Sequence, residues 1–144
     1  MTIAESNEDV VSQSTIVFIG LLPEVARAVL PTLPFTENHK IVSMMAAVNY
    51  DEVVALCRVD AANVVKTVPL PSSARRSGPI LFHPPHPYLE QVVGVVGTPA
   101  AVAHESDMKP LISITGHISP FYELMACTQR WIETQGDTDR LPLR

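Results

Sequence analysis

Continuous apolar runs recur along the chain and predict β-strands that are buried on both faces. Valine, isoleucine and phenylalanine dominate most of these runs, and such residues favour extended backbone. Pro69 and Pro71 close the third run, because proline lacks the N–H that the interior of a strand needs. The predicted strands are "STIVFIG" (14–20), "KIVSMMAAV" (40–48), "ANVVKTVPL" (62–70), "GPILFHP" (78–84) and "PAAVAH" (99–104).

Between these runs, apolar residues recur at helical spacing and capping residues mark helix ends. Pro23 suits the first turn of the first helix, and Asn49 suits the N-cap of the second. The last helix has the clearest signals: Ser119 at the N-cap, Pro120 at the first helical position and Gly136 after its end. The predicted helices are "LLPEVARAVLPTL" (21–33), "NYDEVVALCRV" (49–59), "HPYLEQVVGVVGT" (86–98) and "SPFYELMACTQRWIETQG" (119–136).

Strands that alternate with helices predict an α/β fold with parallel crossover connections. We therefore expect a parallel sheet that carries helices on both faces, followed by one long C-terminal helix. In such sheets ligands bind beyond the carboxyl ends of the strands, where three loops of this chain would meet. These loops are "GLLPE" (20–24), "MMAAVN" (44–49) and "PLPSSARR" (69–76).

Arg75 and Arg76 leave two interpretations open for the third loop. A pair of guanidinium groups can bind a phosphate or a carboxylate through several hydrogen bonds. A solvated turn between two strands explains the same two residues.

The bulk composition narrows the class of protein. The chain has 144 residues, of which 47% are hydrophobic and 17% charged, and this suits one globular domain with a substantial core. The net charge of −5, without a basic stripe, argues against nucleic acid as a partner. The first 14 residues are acidic and polar, unlike a secretory signal, and no apolar run is long enough for a membrane helix. We expect a cytoplasmic protein without a membrane partner.

The cysteines and histidines give no sign of a metal site. Cys57 and Cys127 lie in apolar surroundings, which predicts buried thiols in a reducing compartment rather than a disulfide. Among the five histidines only His83 and His86 are close together, and their proline neighbours favour surface residues over zinc ligands. The sequence contains six glycines, and none forms the G-x-G-x-x-G turn that holds a dinucleotide pyrophosphate.

Four segments follow one another in an order that resembles pyrroline-5-carboxylate reductase and its reductase-like relatives. In that family the corresponding stretches read V-F-L-A-V-K-P, V-I-S-x-x-A-G-V, V-V-R-x-M-P-N-T-P and A-L-S-G-S-G-P-A-Y. The resemblance extends from about residue 8 to residue 137. Here the segments are "IVFIGLLPEVARAVL" (16–30), "IVSMMAAV" (41–48), "NVVKTVPLP" (63–71) and "ISITGHISPFYELM" (112–125).

The chain also departs from the family pattern. Leu70 stands where the family has asparagine, and His117, Ile118 and Ser119 stand where it has glycine, serine and glycine. The glycine-rich first βαβ unit and the later dimerisation helices have no counterpart in the sequence. The resemblance thus implies a partial dinucleotide-binding, Rossmann-like domain over 1–111 and the start of a helical dimerisation domain over 112–144. As encoded here, the enzyme would be incomplete, and we expect this chain alone to be inactive.

The resemblance implies an oxidoreductase that transfers hydride from NADPH or NADH to the C=N bond of 1-pyrroline-5-carboxylate, giving proline. The resemblance does not identify any side chain of this sequence as catalytic. Its implied roles fall into two groups, contacts to the nicotinamide cofactor and contacts to the carboxylate of the cyclic imine. The cofactor group is Gly20, Leu21, Pro23, Ala46, Val68, Pro69 and Leu70, and the substrate group is His117, Ser119 and Pro120. For the substrate group, plain capping of the last helix is an equal alternative.

A second class of function stays open, a non-catalytic α/β module that binds a partner chain through its sheet edge or its last helix. That helix carries an apolar stripe, which predicts a homo-oligomer unless the chain's own sheet covers it. The residues of this stripe are Phe121, Leu124, Met125, Thr128, Trp131 and Ile132.

Overall fold

The computed structural model describes residues 3–135, which contain one five-stranded sheet and six α-helices. The strands are β1 (Ile16–Ile19), β2 (Lys40–Ser43), β3 (Val64–Val68), β4 (Pro79–His83) and β5 (Thr98–Ala101). The helices are α1 (Asn7–Ser12), α2 (Pro23–Val29), α3 (Tyr50–Cys57), α4 (Pro87–Gly94), α5 (Met108–Thr115) and α6 (Ile118–Thr134). The predicted helix end at Gly136 lies outside the described residues.

The five strands lie in chain order across the sheet, and β1, β2 and β3 are parallel, as predicted. The expectation of a wholly parallel sheet is wrong at one pair, because β4 runs antiparallel to β3. Residues 69–78 connect these two strands, and they form only a short 3₁₀ helix (Pro71–Arg75). A parallel pair of strands needs a crossover connection of a dozen residues or more. This connection is shorter, so β3 and β4 can pair only in the antiparallel sense. β5 again pairs parallel to β4.

Helices cover both faces of the sheet, and each face has its own core. On one face, Val17, Ile41 and Val64 lie side by side across three strands and pack with residues of α2 and α3. On the other face, Val65 and Phe82 belong to a second cluster completed by residues of α4. Burial on both faces explains why the strands read as nearly continuous apolar runs.

The region before the last helix differs from the sequence prediction. Residues 108–115 form α5, although Pro110 and the β-branched residues beside it do not signal a helix. Proline is tolerated there because the first-turn N–H groups of a helix have no intrahelical acceptor. The next helix begins at Ile118 with His117 at its N-cap, so the predicted capping role of Ser119 is wrong. Ser119 and Pro120 are instead the second and third residues of α6.

The chain divides into two compact units, Met1–Met108 and Lys109–Arg144. The first holds the sheet and α1–α4, and the second holds nearly all of α5 and the whole of α6. Within the second unit, the apolar stripe predicted for the last helix lies on α6, and we call it the α6 stripe. Four of its large side chains are exposed: Phe121, Leu124, Met125 and Trp131. No helix within residues 3–135 has the length and apolar character needed to cross a bilayer.

Both cysteines are free, but they lie in different environments. Cys57 is the last residue of α3 and is buried in the core, as predicted. Cys127 is exposed, so its predicted burial is wrong; its thiol lies on the polar side of α6, within 3.1 Å of the Arg130 guanidinium. The apolar neighbours of Cys127 in sequence belong to the exposed stripe rather than to a core.

We expect Ellman's reagent at pH 8 to modify one thiol of the native chain quickly, and that thiol is Cys127. Burial raises the pKa of Cys57 to about 12, so almost none of it is present as the reactive thiolate. Cys57 should react only after unfolding in guanidinium. In the matched variant Cys127→Ser the fast phase should vanish, and a fast phase that persists would contradict the burial of Cys57.

Candidate functional site

Because β1, β2 and β3 are parallel, the residues that follow them lie at one edge of the sheet. The register aligns Ile19 with Ser43 and Ser43 with Lys66, so β3 extends two residues further than its neighbours. Neighbouring strands lie about 5 Å apart, so three strand ends span roughly 10 Å. We call this the carboxyl edge and define it by Gly20–Leu21, Met44–Ala46 and Val68–Leu70.

Six of the seven predicted cofactor-binding residues belong to this edge, and the seventh, Pro23, is the first residue of α2. Gly20, Ala46 and Pro69 are exposed, and the other four are half-buried. Met44 is also exposed, and its methyl group lies 3.4 Å from where a side-chain carbon at Gly20 would be. The small residue at Gly20 therefore leaves the edge open beside an apolar side chain. A hollow beside β1 includes Gly20 and Leu21, and it is lined mainly by apolar residues of α1, β1 and the segment 29–35.

A buried lysine of β3, which sequence reasoning missed, holds the loop between β2 and α3 through hydrogen bonds to its backbone. Lys66 lies in β3 and is only 4% exposed. Its ammonium donates to the carbonyl oxygens of Ala46 (3.2 Å) and Val48 (2.7 Å) and to Oε1 of Glu105 (2.7 Å). The backbone of the loop that carries Ala46 is thus tied to the centre of the sheet.

Glu105 closes the same network from the segment after β5. Both of its carboxylate oxygens accept from the N–H of Tyr50 at 3.0 Å, at the first position of α3. Asn49 occupies the N-cap, as predicted, but its side chain forms no capping hydrogen bond. The carboxylate of Glu105 performs that function from 55 residues further along the chain.

Burial of Glu105 acts to raise its pKa, but the hydrogen bonds from Lys66 and Tyr50 and the nearby positive charge outweigh burial, so the pKa lies below its usual value. A lowered pKa in the folded state means that the ionised carboxylate stabilises the fold. This contribution is complete above the ordinary glutamate pKa and is lost as the pH falls through the folded value.

His83 and His86 have separate structural roles and are both half-buried rather than on the open surface. The ring of His83 packs edge-on against Tyr50 with 5.1 Å between centroids, and its Nδ1 lies 3.2 Å from the carbonyl of Val102. Nδ1 of His86 accepts from the N–H of Leu89 and caps α4. Among residues 3–135 no three or more His, Cys, Asp or Glu side chains are grouped as a metal site would require.

The remaining candidates lie in two places. Arg75 and Arg76 are exposed in the β3–β4 connection and form no ion pair within the described part of the chain. Arg76 is in the left-handed conformation, with φ of 54°. The predicted substrate residues, His117, Ser119 and Pro120, are all exposed in the second unit at the start of α6.

The opposite end of the sheet has a different character. A polar concavity lies near the amino ends of β2 and β3. Its lining contains both charges and amides: Glu37, Asn38, Arg58, Asp60 and Asn63. The two ends of the parallel strands therefore offer different surfaces, one with small and apolar residues and one with polar residues.

No protein-family model matches the sequence. No curated protein matches it either. Solved structures share its fold at low sequence identity. The pyrroline carboxylate reductase of Plasmodium falciparum, solved with NADP bound, has a TM-score of 0.74 and 16% identity over 91% of this chain and 53% of that chain. The pyrroline-5-carboxylate reductase of Coxiella burnetii also has a TM-score of 0.74 and 16% identity, over 94% of this chain and 54% of that one.

A reductive aminase of Aspergillus terreus, in complex with NADPH and ethyl-5-oxohexanoate, is similar with a TM-score of 0.62 and 14% identity, over 88% of this chain and 49% of that chain. The chain thus has the fold of Rossmann-like reductases and spans about half the length of these three enzymes. At such identities the similarity establishes the fold.

Proposed function

We propose that the carboxyl edge binds the nicotinamide half of NADPH or NADH, as part of a reductase that acts on the C=N bond of 1-pyrroline-5-carboxylate. The observation that carries this proposal is the parallel arrangement of β1–β3, which gathers small and apolar residues at the edge where α/β sheets bind ligands. The fold shared with nicotinamide-dependent reductases supports it. The order of the four family segments supports the choice of substrate.

The residues present fit the nicotinamide better than the rest of the cofactor. Gly20 and Ala46 leave room for a flat ring, and Met44 and Leu21 offer it apolar contact. The sequence has no glycine turn of the kind that binds a pyrophosphate at a helix N-terminus. When bound, a reduced nicotinamide supplies the hydride, and the edge residues would orient the ring and exclude water from its face.

The substrate carboxylate is proposed to face the start of α6, at His117, Ser119 and Pro120. A helix of 17 residues presents N–H groups without intrahelical acceptors in its first turn, and the helix dipole favours an anion there. The finding that His117, and not Ser119, occupies the N-cap leaves the Ser119 hydroxyl in the first turn of the helix.

The α6 stripe is proposed to contact a second copy of this chain. Each aromatic side chain can bury about 150–250 Å². Phe121 and Trp131, with Leu124 and Met125 between them, would thus contribute a large part of the roughly 800 Å² per partner that a stable interface needs. A homodimer accounts for the exposure of four large apolar side chains on one stripe of α6.

We expect the chain alone to bind NADPH only in the millimolar range, and to do so through the nicotinamide. Saturation-transfer difference NMR at millimolar NADPH should give strong signals for the nicotinamide protons and weak ones for the adenine protons. Reduced nicotinamide mononucleotide should compete, whereas 2′-phospho-ADP-ribose should not. Micromolar affinity in calorimetry, or a stronger adenine signal, would contradict this division of the cofactor.

The alternative function is a non-catalytic interaction module, which the exposed α6 stripe and the lack of a glycine turn favour. Such a module would self-associate without any saturation transfer to NADPH. Saturation transfer to the nicotinamide protons from a chain that stays monomeric would support the reductase proposal and not the interaction module. The two functions can therefore be separated by experiment.

A further inference from the structure

Lys66 is an unusual residue for its position. It lies in the middle strand of the sheet, between residues that are fully buried or nearly so. A buried ammonium is costly unless every one of its protons has an acceptor. Lys66 meets this condition through two carbonyl oxygens and one carboxylate. A methionine of similar length would fill the same space without the desolvation cost, so packing alone does not explain a lysine here.

The acceptors of Lys66 show what the charge contributes. Two of the three are backbone carbonyls of one loop, Ala46 and Val48, between β2 and α3. Within the described residues, the other hydrogen bonds of this loop are local or reach only Ile19. The N–H groups of Met44, Met45 and Val48 donate to Ile19 O, Ser43 Oγ and Met45 O, and the carbonyl of Asn49 accepts from the Val53 N–H of α3. Lys66 therefore anchors the carbonyl groups of Ala46 and Val48, which the local hydrogen bonds of the loop do not hold.

Glu105 completes the arrangement from the other side. It balances the charge of Lys66 and holds the N–H of Tyr50, the first residue after the loop in α3. The ring of Tyr50 packs against His83, which is the cross-strand partner of Lys66. Four side chains from four separate segments thus converge on one end of the loop.

We propose that Lys66 and Glu105 are positioning residues, which hold residues 44–50 in the conformation that places Ala46 at the carboxyl edge. The proposal rests on the proposed cofactor-binding role of Ala46 for its functional meaning. The positioning itself is a property of the free chain, so it can be tested without any ligand.

The first test is amide hydrogen exchange of the full chain, with Lys66→Met, Lys66→Arg and Glu105→Gln. Lys66→Met loses three charged hydrogen bonds, two of them to the loop, and this should make the Val48 and Tyr50 amides exchange about 10- to 100-fold faster. Lys66→Arg keeps the positive charge and several N–H donors, and it should recover much of the protection. The matched control is Arg27→Gln, which removes an exposed ion pair between Arg27 and Glu52 of α3 (2.6 Å) and should leave both amides unchanged.

The second readout is the proton chemical shift of the Tyr50 amide as a function of pH, because this N–H donates directly to Glu105. In the native chain the midpoint should lie below the ordinary glutamate pKa of about 4.3. Lys66 and His83 face this carboxylate, and both act to lower its pKa. In Lys66→Met the midpoint should move upward, because burial still opposes the charge and its main partner is gone. A residue that only fills space would leave the midpoint where it was.

The outcomes separate this inference from the proposed function. Unchanged loop exchange and an unchanged Tyr50 midpoint in Lys66→Met would overturn the positioning role, whatever the chain binds. If that variant fails to fold, Glu105→Gln decides, since it keeps the Tyr50 acceptor but should still speed exchange at Val48 and abolish the acid titration. Faster loop exchange without any NADPH signal in the native chain would support the positioning role and reject the cofactor proposal.

Discussion

Replacing Phe82 by alanine should lower the free energy of unfolding by about 3–5 kcal/mol. Phe82 lies in β4, is 0% exposed, and packs with residues of β2, β3 and α4 in the second core cluster. The substitution removes an aromatic ring and leaves a cavity that the surrounding strands cannot close, because β4 is fixed between β3 and β5. Denaturant unfolding followed by circular dichroism measures the change.

Phe18→Ala is the matched control for this prediction. Phe18 lies on the same face of the sheet, in the edge strand β1, and is 50% exposed. Its loss should cost about 1 kcal/mol or less, since half of the ring already contacts water. Equal losses for the two variants would contradict the placement of β4 inside the sheet.

Trp131→Ser should weaken self-association at least about 30-fold, which corresponds to about 2 kcal/mol for a central aromatic residue of an interface. Trp131 is 64% exposed in the single chain and lies on the α6 stripe. A side chain that is exposed in the monomer contributes little to folding, so the sheet should keep its stability. Sedimentation equilibrium at micromolar concentration measures the association.

Tyr122→Ser provides a control on the same helix. Tyr122 is an aromatic residue with similar exposure, 67%, but at 100° per residue it lies about a third of a turn from the middle of the stripe. Its replacement should leave association nearly unchanged. A native chain that sediments as a clean monomer would reject the homodimer, and equal effects of the two variants would reject the stripe as its surface.

The parallel half of the fold could be predicted because local and tertiary signals agree there. In β1, β2 and β3, burial on both faces produces unbroken apolar runs, and amphipathic helices separate them. The antiparallel pairing of β4 has no such signature, because its residues are as apolar as those of a parallel strand. Only the length of the connection at 69–78 distinguishes the two cases.

The predicted start of the last helix was wrong for a different reason. Ser119 and Pro120 form a strong local capping signal, but α5 ends only two residues before α6 begins. His117 therefore enters the N-cap with helical backbone angles and no side-chain hydrogen bond. Local sequence rules assume an extended residue before a helix, and a preceding helix removes that condition.

The candidate site was predictable only in its position. Residues at the ends of parallel strands can be assigned to one edge once the strands are known, which places the loops at 20–24, 44–49 and 69–76 there. The choice of Gly20, Ala46 and Val68 came from the family resemblance. The network beneath them depends on a contact between Lys66 and Glu105, 39 residues apart. The only sequence signal for it is a lysine within a buried strand, which requires an acidic partner but does not say which one.

The most direct test of the cofactor proposal is a titration of the ¹⁵N-labelled chain with NADPH, followed residue by residue in ¹H–¹⁵N correlation spectra. If the carboxyl edge binds the nicotinamide, the largest shifts will fall on Gly20, Leu21, Ala46, Val68 and Leu70. Shifts that instead cluster around the polar concavity at the amino end of the sheet, at Glu37, Asn38, Arg58, Asp60 and Asn63, would contradict the account, and so would the absence of any shift at millimolar NADPH.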